Sequence, residues 1–544
     1  MDTTVLLVQC LLVFGLSLGI YHAVKRVFVT NSLDNVPGPL SQSFIKGNMA
    51  QYHSPDSAKF QRHIVDDYAA YVVKLHNIFN RPALYIYDPT ALHTILIKDG
   101  NNWGPTPHFT AMNRALFGPG LLSTLGDQHR KQRKMLNPVF SANHMRFMLP
   151  MFYDTVRRLC DAIKSRIENG SQELDMANWM GRTALELIGQ GGLGYSFDNL
   201  VDDKEDALAE SMKLLFPNVS KLSVLALFSP QLRAIVPAGL RGPLASIAPI
   251  AAARDIKYNA DFVAQKMQAI YDSKKRALQQ GDDAVAEQIG QGKDIMMKAN
   301  MQAAEKDGLS EYELVSQMST LVLAAMDTTS NTLSRILLIL AEHPGVQQRL
   351  RAEIVEASHH GEDLPYDRLM KLPYLDAVCR ETLRLYSPLQ WSTRVATQDT
   401  VVPVSKPIRG IDGKLITQLV VPKGTEVFPG VTGCNTSKAF WGEDALEWKP
   451  ERWLSPLPES VTKAGLPGVA ANLMSFLGGR RACIGFTFAE MEMKVVLVAL
   501  LQSFDFAPSD KQVHWIASPI FYPSITEDGM TPRMPLQVST CHHW

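Results

Sequence analysis

The sequence predicts a mainly α-helical body with small β-sheets beside it, preceded by a single N-terminal transmembrane helix. Three observations carry that reading. An uncharged apolar run extends from Val5 to Val24; long stretches place apolar residues at three- and four-residue spacing among charges; and short β-rich runs are cut by glycine and proline. With 544 residues, 46% of them hydrophobic, the chain can bury a large core, which excludes a disordered protein. Its 54 basic and 54 acidic side chains leave no overall charge for gripping nucleic acid, although a local basic patch remains open. Six cysteines lie far apart without paired spacing, which argues against a disulfide framework or zinc knuckle and for a reducing compartment.

The elements follow in chain order. Val5–Val24 has about the length that crosses a bilayer. Asp2 precedes it and Lys25-Arg26 follow, the reverse of a cleavable signal peptide, so the basic flank leaves the rest of the chain in the cytosol. Residues 1–26 are thus expected to form a membrane anchor with its basic flank. Residues 27–48 form a linker whose hinge, Asn35-Val36-Pro37-Gly38-Pro39, cannot continue a helix, and residues 49–544 form one large folded unit. Asp154 to Ile188 and Asp255 to Ala304 read mainly as helices, and between them Leu214 to Ile250 is apolar and punctuated by proline. Glu313 to about Leu340 reads as a long helix, nearly apolar through its middle and therefore buried, ending before His343-Pro344-Gly345. Pro82 to Tyr87, Thr400 to Val404 and Leu415 to Val421 read as strands. Gly189-Gln190-Gly191-Gly192-Leu193-Gly194 fits a dinucleotide-binding glycine pattern by letter. It follows a helical run instead of a strand and opens into Tyr195-Ser196-Phe197-Asp198, so no helix N-terminus awaits a pyrophosphate.

The most informative stretch runs from Phe476 to Gly485, Phe-Leu-Gly-Gly-Arg-Arg-Ala-Cys-Ile-Gly, ahead of a helix-forming run that starts at Phe486. Cys483 there meets the unpaired amides and positive dipole end of a helix, which favour a thiolate. The glycines let backbone approach something large and flat, and Arg481 suits an anionic group held beside that ligand. Glu381 and Arg384 stand three residues apart on a predicted helix and so share a face. Asp327 and Thr328 place a carboxyl and a hydroxyl inside an apolar helix, where unpaired polar groups are costly unless bonded or used. Back-bonding to helix carbonyls would explain the threonine but not the acid.

At these residues the sequence resembles the cytochrome P450 family, of the fungal microsomal type. Phe476, Gly479, Arg481, Cys483 and Gly485 reproduce that family's haem-binding signature. The resemblance implies a mainly helical fold around haem b (iron protoporphyrin IX), with Cys483 as axial ligand of the iron. It further implies that Glu381, Arg384 and Arg452 of Pro450-Glu451-Arg452-Trp453 form a structural cluster. Asp327 and Thr328 would deliver protons during oxygen activation, and Ala325 replaces the family's usual glycine. His129 and Arg133 occupy positions where the family commonly has tryptophan and arginine against a haem propionate, and Arg394 matches another propionate contact. The implied reaction is monooxygenation of an apolar small molecule, terpenoid-like by the fungal resemblance, with O2. A fatty acid, sterol or xenobiotic is the alternative substrate, and a haem-thiolate isomerase, a dehydratase or a non-catalytic haem protein the alternative class. Because the chain has no flavin or nicotinamide region of its own, electrons would come from an NADPH-cytochrome P450 reductase in the endoplasmic reticulum membrane, docking near Arg130, Lys131, Lys134 and Arg480. Segments matching the family's variable substrate regions nominate Trp103, Phe109, Phe117, Trp391, Ile520 and Phe521 as pocket residues.

Overall fold

The apolar run at the middle of the chain becomes the organising helix Glu311–Glu342 in the computed structural model. The structure describes Val13, Ser17 and residues 31–541, except 69, 169, 199, 202–206, 227–228, 230–234, 282, 284–307, 359–361, 471 and 527–530. The expected transmembrane helix lies outside the described residues apart from Val13 and Ser17. Among the described residues no helix is long and apolar enough to cross a membrane.

Helix Glu311–Glu342 begins with a capping box: Ser310 Oγ accepts from the Glu313 N–H at 3.3 Å, and the Glu313 carboxylate accepts from the Ser310 N–H at 3.1 Å. It ends at His343, where Pro344 cannot extend it and instead starts the next helix, Pro344–Ala357. The helix is buried along most of its length and packs against helices Met176–Leu193, Ala251–Gln279, Pro373–Leu385 and Phe486–Ser503, which together form the larger hydrophobic core.

Twelve strands are found among the described residues: β1 Val72–His76, β2 Pro82–Ile86, β3 Trp103–Gly104, β4 Gln172–Asp175, β5 Arg394–Ala396, β6 Thr400–Arg409, β7 Leu415–Val421, β8 Glu426–Pro429, β9 Phe504–Pro508, β10 His514–Ile516, β11 Tyr522–Ser524 and β12 Pro535–Thr540. They make four small sheets, in the orders β1-β2-β8-β5-β3, β6-β7, β4-β12-β9 and β10-β11. The five-stranded sheet covers a second core with helix Ser57–Asp67, and residues of the expected linker join it, Leu33 and Val36 being buried.

The two stretches expected to be mainly helical are so among the described residues, with one interruption. The stretch from Asp154 to Ile188 is two helices, Ala142–Arg166 and Met176–Leu193, with β4 between them. Its residues are extended because they pair with Pro535–Val538 of β12, far along the chain, which local periodicity cannot show. The second stretch is helical from Ala251 to Gln279, and 284–304 lie outside the described residues. The glycine run closes helix Met176–Leu193, with Gly194 in the left-handed region at φ 55° as its C-cap. A side chain at Gly189 would overlap the Phe197 ring, so packing accounts for that glycine without a nucleotide.

Beneath the long helix, Glu381 of helix Pro373–Leu385 is fully buried and gathers five donors. Its two oxygens accept from Arg384 Nε and Nη2, both at 2.8 Å, from the Lys449 N–H and Trp453 Nε1, both at 3.0 Å, and from Arg452 Nε at 3.4 Å. Arg384 also donates to the carbonyls of Asn435, Ala445 and Glu447. The geometry brings together the three residues grouped from sequence and ties the helix to the segment carrying Pro450–Trp453.

Candidate active site

The loop before helix Phe486–Ser503 is held by its own backbone. Residues Gly479–Arg481 form a single 3₁₀ turn, the Cys483 N–H donates to the Phe476 carbonyl at 2.9 Å, and Gly485 is the residue from which the helix starts. Gly479 has φ 72° and sits so close to the preceding layer that a side chain there would overlap the Leu96 carbonyl oxygen. The Phe476 and Phe486 rings meet edge to face at 4.9 Å, closing the loop on itself. The result is an exposed Cys483 side chain on a rigid turn. Its protein surroundings raise the thiol above its ordinary range; the Gly485 N–H and the Arg133 guanidinium pull the other way.

Around this loop four basic side chains converge on a cavity of about 850 Å³, lined by His129, Arg133, Arg394 and Arg481 together with Trp103 and Leu96. Arg133 Nη1 donates to the Ala482 carbonyl at 2.5 Å, Arg481 Nη2 to the Thr124 carbonyl at 2.6 Å, and Arg394 Nη1 to the Thr393 carbonyl at 2.8 Å and Ser392 Oγ at 3.2 Å. Among the described residues no carboxylate pairs with any of the three. Burial, then the neighbouring guanidinium, pushes Arg394 and Arg481 down to about 10. Buried His129, on the same helix one turn before Arg133, is pushed down to about 4 by desolvation and then by Arg481, Arg133 and Arg394. A donor set of guanidiniums that repel one another and find neutral acceptors fits a bound group carrying two carboxylates. Haem propionates are such a pair, and the exposed Cys483 beside them supplies a soft anionic ligand for iron, so the residues present fit haem. Arg130, Lys134 and Arg480, grouped from sequence as a basic face, border the same cavity and are exposed, while Lys131 is half-buried.

The long helix presents a bare stretch where its neighbours leave it uncovered. Ala324 is exposed and Ala325 and Thr328 are half-buried between fully buried turns. Thr328 Oγ1 donates to the Ala324 carbonyl at 2.8 Å, the back-bond expected of a helical threonine. Asp327 points elsewhere, into a small cavity it shares with Lys213, Asn331 and Ile520. Burial pushes its carboxyl up to about 7, against a smaller opposing pull from Lys213. Because its ordinary value is 3.8, the folded chain holds an extra proton between about pH 4 and 7. Folding stability therefore falls as pH rises through that window, and the penalty is complete above it. At about 1.4 kcal/mol per pH step the cost is bounded near 4 kcal/mol. Asp327→Asn is accordingly expected to raise the thermal midpoint more at pH 8.5 than at pH 5; an equal gain at both would contradict the assigned burial.

The nominated pocket residues scatter. Trp103 lines the arginine cavity, Ile520 stands beside Asp327, and Phe521 borders a third cavity. Phe109 is half-buried on helix Pro107–Phe117, at whose end Phe117 belongs to the main core. Trp391 packs on the sheet-side core and donates its indole N–H to Ser57 Oγ at 3.0 Å. Three charged residues escaped the sequence reading: Lys213, Arg335 and Glu492. Glu492 is fully buried on helix Phe486–Ser503 beside Thr329, and desolvation raises its carboxyl well above the ordinary range. A signal existed for two of them: Arg335 and Glu492 are charges inside apolar helices, as Asp327 is.

Comparison with known proteins agrees with this geometry. The family model described as Cytochrome P450 matches residues 37–520. The chain is 50% identical over 518 residues to cytochrome P450 monooxygenase 81 of Postia placenta, with 95% of this chain and 94% of that protein covered. It is 46% identical to ganoderic acid synthetase CYP5150L8 of Ganoderma lucidum, covering 94% and 95% of the two chains. Among solved structures, a crystal structure of the cytochrome P450 CYP102L1 shares the fold with a TM-score of 0.69 at 23% identity, over 93% of this chain and 100% of that one. The chain belongs to the cytochrome P450 family, as a monooxygenase with a haem iron cofactor.

Proposed function

We propose that the chain hydroxylates an apolar, terpenoid-like small molecule in fungal secondary metabolism, using O2 and electrons passed from NADPH by a separate reductase. The observation that carries the reading is the exposed Cys483 on its rigid turn, set beside three guanidiniums without a carboxylate partner among the described residues. Haem b, when bound, supplies the oxidation of a C–H bond by O2. In this reading Cys483 Sγ would hold the iron, and Arg133, Arg394, Arg481 and His129 would hold the propionates. Phe476, Gly479 and Gly485 shape the turn that carries the ligand. Asp327, protonated up to about pH 7, and Thr328, at the exposed stretch of the helix beside Ala324, are the two residues that would serve proton delivery.

The basic side chains Arg130, Lys134 and Arg480 at the cavity's border offer a docking face for an acidic reductase surface. The uncharged run Val5–Val24 with Lys25 and Arg26 behind it supports a single-pass anchor in the endoplasmic reticulum membrane, the folded unit facing the cytosol. A relative named ganoderic acid synthetase supports the placement in secondary metabolism.

The test is co-expression with a fungal reductase and product analysis over a panel of terpenes, sterols and fatty acids. Hydroxylated terpenoids are expected; products confined to fatty acids would overturn the substrate class. In the same system Thr328→Ala is expected to keep NADPH consumption within about 3-fold of wild type while product per NADPH falls at least about 10-fold and hydrogen peroxide rises. Unchanged coupling would remove Thr328 from proton delivery.

A further inference from the structure

Arg335 lies seven residues beyond Thr328 on the long helix, close to two full turns, so it returns to nearly the same face about 10 Å along the axis. Its guanidinium is clamped between two rings, with the Trp515 centroid at 3.5 Å and the Tyr386 centroid at 4.4 Å. Among the described residues it forms no ion pair and no hydrogen bond, and its Nε–H is buried without an acceptor. Burial pushes it down to about 9, against smaller opposing pulls from Tyr386 and from Glu342, which does not border the cavity that Arg335 lines.

Arg335 borders a cavity of about 380 Å³ with Asn331, Tyr386, Gln390, Trp515 and Phe521. Among the described residues no acidic side chain borders it; the two other cations there, Lys59 and Arg62, already pair with Asp56 and Asp66. Among the described residues two more polar groups stand idle: the Trp515 Nε1–H lacks an acceptor, and the buried Gln390 amide oxygen lacks a donor. Amide orientation is assigned from neighbours, so rotation turns the Gln390 NH2 toward an anion. The recess therefore combines one cation and several unused N–H donors with an aromatic lining, and lacks the anion that would complete it. It also adjoins the Asp327 cavity, since Asn331 borders both and Ile520 precedes Phe521 in the chain.

We propose that this recess binds the carboxylate end of an amphipathic, largely apolar acid, with Arg335 as its counter-ion and Trp515 Nε1 and the Gln390 amide as flanking donors. The apolar remainder of the ligand extends past Phe521 toward the Asp327 cavity, where the long helix carries the residues assigned to oxidation. That last step rests on the monooxygenase reading; the binding claim does not, and is tested without NADPH.

The experiment titrates decanoate and 1-decanol calorimetrically into the purified full-length holoprotein at pH 8. Wild type is expected to bind decanoate at least about 10-fold more tightly than decanol. Arg335→Gln is expected to bring decanoate down to the level of decanol while leaving decanol within about 2-fold, and Arg335→Lys to keep part of the preference. Trp515→Phe, which retains a ring for Arg335 to stack on, is expected to cost the acid a few-fold and the alcohol nothing. An acid preference that is absent in wild type, or unchanged in Arg335→Gln, overturns the proposal. If Arg335→Gln does not accumulate, an unchanged acid-to-alcohol ratio in both Arg335→Lys and Trp515→Phe overturns it instead. The haem spectrum of each protein, read separately, reports on Cys483 and not on this recess.

Discussion

Glu381→Ala is expected to eliminate stable accumulation of the folded protein. The carboxylate is fully buried and answers five donors, two of them from Arg384 and one from Arg452. Truncation would leave two guanidiniums inside the protein with no anion to balance them. Breaking a buried pair from one side costs about 3–5 kcal/mol, a large share of the about 5–15 kcal/mol that holds an ordinary domain together. Arg384 would still be fixed by the carbonyls of Asn435, Ala445 and Glu447, so the uncompensated charge has nowhere to relax. Glu381→Gln keeps an acceptor of the same shape and should lose less. The check is the yield of soluble protein after detergent extraction and its thermal midpoint. A Glu381→Ala protein melting within about 2 °C of wild type would show that the cluster does not hold the helix in place.

The second large effect is chemical. Cys483→Ser should leave the fold intact, because the turn is held by Gly479, the Phe476 carbonyl and the Phe476–Phe486 ring contact and not by the sulfur. Turnover should nevertheless fall by at least about 10³-fold. A serine hydroxyl stays protonated near neutrality and is a hard donor, whereas a bound haem iron would favour the softer sulfur as a thiolate. Without Cys483 Sγ the chain would lack the soft anionic ligand for a haem iron, on which the oxidation that haem would supply depends. Product formation per enzyme in the reconstituted system is the measurement; turnover within about 10-fold of wild type would contradict the role given to the sulfur.

How far the sequence could be read depended on how local each feature is. The long helix was legible within two residues at each end because the signals that start and stop it, the Ser310–Glu313 capping box and Pro344, are neighbours in the chain. β2, β6 and β7 were legible because their composition is strand-like on its own. β4 was not, since its residues are extended only by pairing with Pro535–Val538. In the site, the turn around Cys483 could be read from letters, as its glycine, arginine and cysteine sit within a few residues. That Arg133 and Arg394 join Arg481 is legible only through the family resemblance and not from local pattern, for they come from a helix and a strand far away in sequence. Aromatic composition could nominate Trp391 for a pocket but could not tell which way its ring turns, and Ser57 holds it against the sheet-side core. The rule that singles out Asp327, a charge inside an apolar helix, applies equally to Arg335 and Glu492.

The central claim is that Cys483 is the anionic ligand of a haem iron. The reduced carbon monoxide difference spectrum of purified wild type and Cys483→Ser tests it most directly. Wild type is expected to show the red-shifted band of a thiolate-bound haem, and Cys483→Ser is expected to lose that band while still retaining haem through Arg133, Arg394 and Arg481. A red-shifted band surviving in Cys483→Ser, or its absence from haem-loaded wild type, would contradict the account.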